Sequence, residues 1–335
     1  MVISLNALLK KTIGVVYKML FEFDMTKITA NLIGYVFDLA LWLAPNTKKD
    51  FHLIDNRPQI GQILNGWEYC ETVSSDSGMS HRYYFHPGPP GAPVFLFLHG
   101  FFLDGRNFLN VKSLSDKWQL IAYDFPESSP LYRGDMSDFK YLLDDFLDTL
   151  KIDTFYLCGV SFGGGVAVRF AASHARRVKA LALVSSFIMN SSLSDRHRSR
   201  TLAKFILKHP DNKLQWLIKL FFDLSKRNSH SNLHRVSSII KIRDINWYRQ
   251  VIHSITTCEG LEDAVQIRCP VLAINGSKDN IVSLKSALSI PKHIPHARFE
   301  KIDDGSHAMM FDHGERIAAM IREFCVNEVD ENSGQ

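Results

Sequence analysis

Cysteine and clustered charge are both scarce in this sequence, and their scarcity excludes several classes of protein. Only five of the 335 residues are cysteine, an odd number with no Cys-x-x-Cys pair. Neither a disulfide framework nor a zinc site is therefore indicated, and a reducing, cytoplasmic environment is the simpler expectation. The net charge is only +4, with no block of like charges. We therefore expect no nucleic-acid partner.

One apolar run lies at the lower limit of what a membrane span requires. Residues 28–44 form an apolar stretch of about 17 residues, which is at the lower limit for crossing a bilayer, and they include Asn31 and Asp38. The N-terminal residues lack the basic start and the cleavage site of a secretory signal. Neither a membrane span nor export is favoured. Hydrophobic residues make up 46% of the chain, enough for a sizeable core.

Residues 1–50 predict an N-terminal helical extension of two helices. Lys10, Lys11 and Lys18 lie away from the apolar side of the first helix, a pattern that suits the surface of a negatively charged membrane. A helical hairpin packed on the rest of the domain explains the same pattern. Peripheral membrane contact through residues 1–50 is therefore one of two open expectations.

Apolar runs alternate with helical patterns through most of the remaining chain, after a turn-rich hairpin. This alternation predicts a mostly parallel central sheet with helices on both faces. The predicted hairpin strands are residues 67–73 and 81–86, the predicted core strands are residues 94–98, 118–123, 154–158, 178–184, 270–275 and 298–302, and the predicted helices are residues 136–150, 162–175 and 314–324.

The alternation stops over residues 187–269, which look helical. They predict a cap inserted into a core of residues 51–186 and 270–328, with residues 329–335 as a disordered tail. The cap contains 14 Lys and Arg against 7 Asp and Glu. This excess either favours an anionic ligand or belongs to a solvated surface, and both interpretations remain open.

The strongest local signal surrounds Ser161, where a strand pattern ends and a helical pattern begins. Gly159 and Gly163 flank it in the order G-x-S-x-G, and two further glycines follow. A nucleophile on such a sharp turn is exposed to substrate. Glycines on either side allow the strand and helix backbones to approach closely enough to form the turn.

With this motif the chain resembles the α/β-hydrolase fold family, in particular its serine esterase and lipase-like branch with a helical cap. The resemblance covers residues 67–324. The family orders its catalytic residues Ser, Asp, His along the chain. The turn G-S-K-D ending at Asp279 is similar to the family's acid turn, and the segment D-D-G-S-H ending at His307 is similar to its G-x-H loop. The resemblance implies Ser161 as nucleophile, Asp279 as acid and His307 as base.

The resemblance also implies an oxyanion hole made of two backbone N–H groups. One is Phe162, at the start of the helix after the nucleophile, and the other is Phe101, in the H-G-F-F segment after residue 98. The substrate pocket is expected to suit an acyl chain or an aromatic group. Its further candidate residues are His99, Gly100, Phe102, Phe187 and Trp216.

One departure limits the resemblance. Many relatives carry D-x-P-G-x-G-x-S in the loop that begins at residue 124, whereas this chain has D-F-P-E-S-S without either glycine. This loop borders the pocket in the family. The subgroup, and with it the substrate, is therefore not assigned by this motif.

These residues predict a serine hydrolase that cleaves an ester or thioester through an acyl-serine intermediate. The substrate is expected to be a small ester-like or lipid-like molecule, and neither a metal nor an organic cofactor is needed. The same three residues would also serve a carbon–carbon bond hydrolase or an acyltransferase. A non-catalytic binding protein of this fold is an alternative from a different class. The oligomeric state does not follow from the sequence.

Overall fold

The fold is known here from a computed structural model. It describes residues 57–101, 103–126, 136–188, 261–279 and 281–330. The predicted extension, most of the predicted cap and the last five residues lie outside these ranges, so the division into an extension, a core and a cap stays a prediction.

A nine-stranded sheet forms the centre of the described chain. The strands are β1 (Ile63–Leu64), β2 (Trp67–Val73), β3 (Ser80–His86), β4 (Val94–Leu98), β5 (Gln119–Asp124), β6 (Phe155–Val160), β7 (Val178–Val184), β8 (Val271–Gly276) and β9 (Ala297–Ile302). Their spatial order is β1-β2-β3-β5-β4-β6-β7-β8-β9. The pairs β1–β2, β2–β3 and β3–β5 are antiparallel, and all other neighbouring pairs are parallel.

The central parallel strands are largely buried because helices cover both faces of the sheet. Every residue of β6 and of β8 is buried, whereas the hairpin strands β2 and β3 mix buried with exposed positions. The helices are α1 (Met136–Thr149), α2 (Phe162–Ser173), α3 (Leu261–Ala264), α4 (Leu284–Ala287), α5 (Ser289–His293), α6 (Met309–Asp312) and α7 (Gly314–Cys325). No helix among the described residues is long and apolar enough to cross a membrane.

Two hydrophobic clusters hold the helices on the sheet. The first cluster packs Phe139 of α1 and Val166 of α2 against strand side chains. The second cluster packs Ile317 of α7 and Phe108 against a separate set of strand side chains. Phe108 belongs to the 3-10 helical segment Gly105–Asp116, which the sequence patterns did not predict. The predicted sheet with helices on both faces is confirmed.

The direction in which the chain adds strands reverses at β4. From β4 the chain forms β5 on one side, and it then returns to form β6 on the other side. Ligands of such sheets bind outside the carboxyl ends of the strands at this reversal. Residues that follow β4 and β6 are therefore placed for a binding site.

A buried polar chain fastens the hairpin to the rest of the fold. His81 on β3 is fully buried, with Nδ1 2.9 Å from the Tyr123 hydroxyl and Nε2 2.8 Å from Oδ2 of Asp145 on α1. The hydroxyls of Ser74 and Ser77 also donate to the Asp145 carboxylate, at 2.7 and 2.6 Å. A neutral imidazole satisfies both of its contacts, because Nε2–H donates to the carboxylate while Nδ1 accepts from the tyrosine.

The environment of His81 favours this neutral form. Burial lowers the pKa of His81 below its usual 6.5, although the neighbouring Asp145 acts in the opposite direction. Burial alone would raise the pKa of Asp145, but its hydrogen bonds with Ser77, Ser74 and His81 lower it. The folded protein therefore binds a proton at His81 less readily than the unfolded chain does.

We predict that this histidine makes the fold less stable in mild acid. Because the pKa of His81 is lower in the folded state, its contribution is fully present above about pH 7 and is lost as pH falls through the unfolded value towards the folded one, with a slope of at most about 1.4 kcal/mol per pH unit. Denaturant unfolding between pH 7 and pH 5 measures this slope. His81→Gln should flatten it, because glutamine does not titrate in this range. An equal slope in the native protein and in the variant would contradict the prediction.

Candidate active site

Ser161 lies on a sharp turn between β6 and α2. Its backbone has φ 52° and ψ −114°, and a residue with a side chain rarely adopts a positive φ. The serine directly follows a fully buried strand and precedes a helix, and it is itself partly exposed. Such a conformation costs on the order of 1–3 kcal/mol and persists only where surrounding contacts impose it.

Three glycines make the turn sterically feasible. A Cβ on Gly159 would lie 2.5 Å from the Gly163 carbonyl oxygen, and a Cβ on Gly163 would lie 2.6 Å from the His99 carbonyl oxygen. Real Cβ atoms essentially never come so close to another atom. Gly164 is equally confined, because its Cβ would lie 2.5 Å from Cβ of Ser186. The G-x-S-x-G pattern is thus explained by contact between backbones.

His307 and Asp279 lie beside this serine although they are far from it in sequence. His307 Nε2 is 3.1 Å from Ser161 Oγ, and His307 Nδ1 is 2.9 Å from Asp279 Oδ2. Because Nδ1–H donates to the carboxylate, Nε2 is left as an acceptor for the serine hydroxyl. The structure thus brings together the three residues that the sequence singled out.

The Asp279 carboxylate is held from a second side. Its side chain is fully buried, and Oδ1 accepts the backbone N–H groups of Ile281 at 2.9 Å and of Val282 at 2.8 Å. These amides orient the carboxylate, and both of its oxygens lie within hydrogen-bond distance of His307 Nδ1, Oδ1 at 3.1 Å and Oδ2 at 2.9 Å. The sequence pattern had given no indication of this support, since a backbone amide carries no residue-specific signal.

The acid turn and the histidine loop are in direct backbone contact. Lys278 N–H donates to the Gly305 carbonyl at 2.9 Å, and a Cβ on Gly305 would lie 2.9 Å from Cα of Gly276. The nearby Asp304 pairs with Lys278 at 2.6 Å and is exposed. Asp304 is therefore engaged away from His307, which agrees with the choice of Asp279 as its partner.

The loop after β4 approaches the serine from the other side. A Cβ on Gly100 would lie 3.6 Å from Cβ of Ser161. His99 is 1% exposed, its Nε2 accepts the Phe125 N–H at 3.2 Å, and its Nδ1 lies 2.8 Å from the Gly100 carbonyl. Since Nε2 is the acceptor, Nδ1 carries the proton and donates to Gly100. His99 therefore braces the loop from beneath.

The aromatic candidates occupy different positions. Phe101 is partly buried and its ring centroid is 6.4 Å from that of Phe162. Phe162 is 2% exposed and packs against Phe125 and Phe139, with ring centroids at 5.6 and 5.1 Å. Phe187 is partly buried where the described chain leaves β7. The other two pocket candidates, Phe102 and Trp216, lie outside the described residues.

Ser186 is a buried contact of this turn that sequence reasoning missed. Its hydroxyl lies 2.9 Å from the Val184 carbonyl and 3.2 Å from the Gly159 carbonyl. A serine two residues after a strand resembles many others, so no local pattern identifies it. As for metals, the described residues contain no group of three His, Cys, Asp or Glu side chains that could hold an ion.

Comparisons with known proteins identify the fold. A sequence model described as alpha/beta hydrolase fold matches residues 93–220. The chain is 22% identical over 285 residues to monoacylglycerol lipase ABHD6 of Mus musculus, covering 77% of this chain and 84% of that protein. It is 37% identical over 100 residues to the dihydrolipoyllysine-residue acetyltransferase component of the acetoin cleaving system of Cupriavidus necator, only 27% of that protein's length.

A solved structure is similar over a comparable share of the chain. A thermophilic esterase from Thermogutta terrifontis superposes with a TM-score of 0.62 at 18% identity, covering 78% of this chain and 99% of that one. The chain therefore has the α/β-hydrolase fold. Its curated relatives include lipases and a depolymerase, which supports a hydrolase in general terms.

We predict that Gly163→Ala disrupts the turn. Helix propensity alone would make alanine more favourable by about 1 kcal/mol, yet its Cβ would press on the Leu98 and His99 carbonyls. A net loss of stability of about 1–3 kcal/mol is therefore expected, as for other overpacked sites. Urea unfolding measures it. The matched exchange Ala172→Gly in the same helix should cost only about 1 kcal/mol, and a stabilised Gly163→Ala would contradict the assigned close approach.

Proposed function

We propose that this protein is a serine hydrolase that cleaves a carboxylic ester or thioester through an acyl-Ser161 intermediate. The observation that carries the proposal is the 3.1 Å contact between Ser161 Oγ and His307 Nε2, continued by the 2.9 Å contact between His307 Nδ1 and Asp279. A serine hydroxyl is a weak nucleophile until a positioned base accepts its proton. This arrangement supplies that base and orients it.

In the first step Ser161 Oγ attacks the carbonyl carbon while His307 Nε2 takes the hydroxyl proton. The imidazole becomes positively charged, and the Asp279 carboxylate stabilises that charge without taking the proton. The amides of Ile281 and Val282 keep the carboxylate in place. When the tetrahedral intermediate collapses, His307 returns the proton to the departing alcohol or thiol, leaving an ester on Ser161.

The negative charge on the carbonyl oxygen needs donors that are already oriented. We assign this role to the N–H groups of Phe162 and Phe101. Phe162 opens helix α2, so its N–H has no carbonyl one turn earlier within the helix, and the helix dipole favours negative charge there. Phe101 follows Gly100, which lies against Ser161. Each such donor is worth on the order of 100-fold or more in turnover.

In the second step a water molecule attacks the acyl-Ser161 ester. His307 Nε2 takes a proton from this water, and Ser161 leaves as the hydroxyl after accepting that proton from the histidine. The free carboxylic acid is released and the enzyme returns to its starting state. Every proton taken by the base is returned within the cycle, so the scheme calls for no metal or organic cofactor.

A hydrophobic acyl group is the substrate class that the surroundings favour. Phe101 is partly buried against Phe162 beside the serine, which suits an alkyl chain. The similarity to a monoacylglycerol lipase over 77% of the chain supports the same class. We further propose that residues 187–269 cover this site as a cap, and that residues 1–50 either contact a membrane surface or pack on the domain.

Two alternatives use the same three residues. An acyltransferase would deliver the acyl group to an alcohol instead of water, and a carbon–carbon hydrolase would cleave a keto acid through the same base. A non-catalytic binding protein would leave the serine unreactive. Product analysis with and without an added alcohol separates the first case, and failure on esters together with cleavage of a keto acid identifies the second.

We predict that a fluorophosphonate probe labels the native protein and that Ser161→Ala abolishes the labelling. The reason is that only a serine with a positioned base reacts readily with the probe. The same substitution should abolish hydrolysis in a series of nitrophenyl esters of increasing acyl length and of acyl thioesters. Labelling that persists in Ser161→Ala would overturn the nucleophile, and an unlabelled native protein would favour the binding protein.

We predict that Asp279→Asn lowers kcat by roughly 10³–10⁴-fold, because the amide favours the wrong histidine tautomer and cannot stabilise the imidazolium. The measurement is steady-state hydrolysis of the best ester. Asp303→Asn is the matched control, since Asp303 is also close to His307 in sequence but is exposed and pairs with Lys301. A large loss in the control and none at Asp279 would show that the acid is wrongly assigned.

A further inference from the structure

Two adjacent buried serines follow β7, and their hydroxyls have opposite surroundings. Ser185 is fully buried and its hydroxyl has no hydrogen-bond partner among the described residues. Ser186 is 1% exposed and its hydroxyl faces three carbonyl oxygens, those of Val184 at 2.9 Å, Gly159 at 3.2 Å and Ser161 at 3.5 Å. Variants that remove the hydroxyl at each of these two neighbouring positions can therefore be compared as a matched pair.

The three carbonyls lie along the backbone at the nucleophile. Val184 O also accepts the backbone N–H of Ser161 at 3.0 Å. This one carbonyl oxygen therefore accepts hydrogen bonds from both Ser161 and Ser186. The Gly159 carbonyl precedes the nucleophile, and the Ser161 carbonyl belongs to the nucleophile itself. Because carbonyl oxygens only accept, the Ser186 hydroxyl is the donor in this group. It faces oxygens on both sides of the strained residue.

The Ser161 carbonyl is linked rigidly to the oxyanion hole proposed above. The C=O of Ser161 and the N–H of Phe162 belong to one planar peptide group, so any contact that fixes the oxygen also fixes the direction of the N–H. The carbonyl accepts Gly164 N–H at 3.0 Å from the helix side. Ser186 adds a favourable donor from the strand side, at the outer limit of a hydrogen bond.

Close packing confines Ser186 to this position. A Cβ on Gly164 would lie 2.5 Å from Ser186 Cβ and still closer to its hydroxyl oxygen. The side chain thus fills the space beneath the first turn of α2. A methyl group would keep most of this packing, but it would remove the one hydroxyl proton that the three carbonyls share. Val184 O and Ser161 O would then keep only their backbone N–H donors.

We propose that Ser186 is a positioning residue that holds the Ser161 backbone and the Phe162 N–H in their catalytic orientation. This inference rests on the proposed serine-hydrolase function. The hydroxyl acts through the peptide groups on either side of the nucleophile and does not touch the substrate. Its removal should therefore affect the reaction rate and leave substrate binding nearly unchanged.

The test compares Ser186→Ala with Ser185→Ala in the full-length protein. Two quantities are measured, the second-order rate of fluorophosphonate labelling and kcat and KM for a short nitrophenyl ester. Ser186→Ala should lower the labelling rate and kcat by about tenfold or more with KM within twofold, the size expected when one hydrogen bond on an aligned backbone is lost. Ser185→Ala should match the native protein, because its hydroxyl has no hydrogen-bond partner among the described residues.

A second variant separates positioning from folding. Ser186→Cys keeps a side chain of similar shape with a weaker donor, so its labelling rate should fall between those of the native protein and Ser186→Ala. If Ser186→Ala does not fold, the labelling rates of Ser186→Cys and the native protein are compared instead, provided that their circular dichroism spectra match. Equal labelling rates in the native protein and the folded Ser186 variants would overturn this inference and leave the hydrolase standing, whereas an unlabelled native protein would overturn both.

Discussion

Ser161 occupies a backbone conformation that an isolated chain would abandon, and the packing around it keeps it there. The cost of such a conformation is on the order of 1–3 kcal/mol, and it is borne by contacts that a side chain would prevent. Gly159 touches Gly163, and Gly163 touches the end of β4. The turn therefore exists because a strand and a helix meet backbone to backbone, and the rest of the site is arranged around the hydroxyl that this turn presents.

The parallel sheet fixes the relative positions of the nucleophile, the acid and the base. The nucleophile follows β6, the acid follows β8 and the base follows β9, and parallel strands deliver all of their carboxyl ends to one edge of the sheet. Distances between these side chains are thus set by the strand spacing and by short turns. The direct contact between the acid turn and the histidine loop at Gly305 removes further freedom. Three segments of distant sequence become one rigid group.

Much of this organisation follows from sequence because its signals are local. Apolar runs located the core strands to within about two residues, and the predicted helix at residue 162 begins where the structure places α2. The triad candidates depended on the resemblance, since neither spacing nor composition says that Asp279 and His307 meet. Their geometry now supports that grouping, and their roles remain proposals. The pocket is less predictable, because His99 lies under its loop and not on an open surface.

What the sequence could not indicate shares a physical cause. The 3-10 segment Gly105–Asp116 has a kink at Val111 and no clean helical period, so pattern analysis gave no element there. The amides that hold Asp279 and the carbonyls around Ser186 belong to the backbone, which every residue carries. Such contacts are created by the fold and leave no residue-type signature. They are found only when coordinates show which groups approach each other.

The position of β9 has a consequence for how the protein would fail under stress. It is the last strand of the described sheet, and most of its residues are at least partly exposed. Terminal strands open at lower free energy than central ones. Opening of β9 would carry the histidine loop away from a nucleophile turn still anchored in the centre of the sheet. Heat inactivation of such a molecule would begin as a reversible loss of its base, at temperatures where the central strands remain folded.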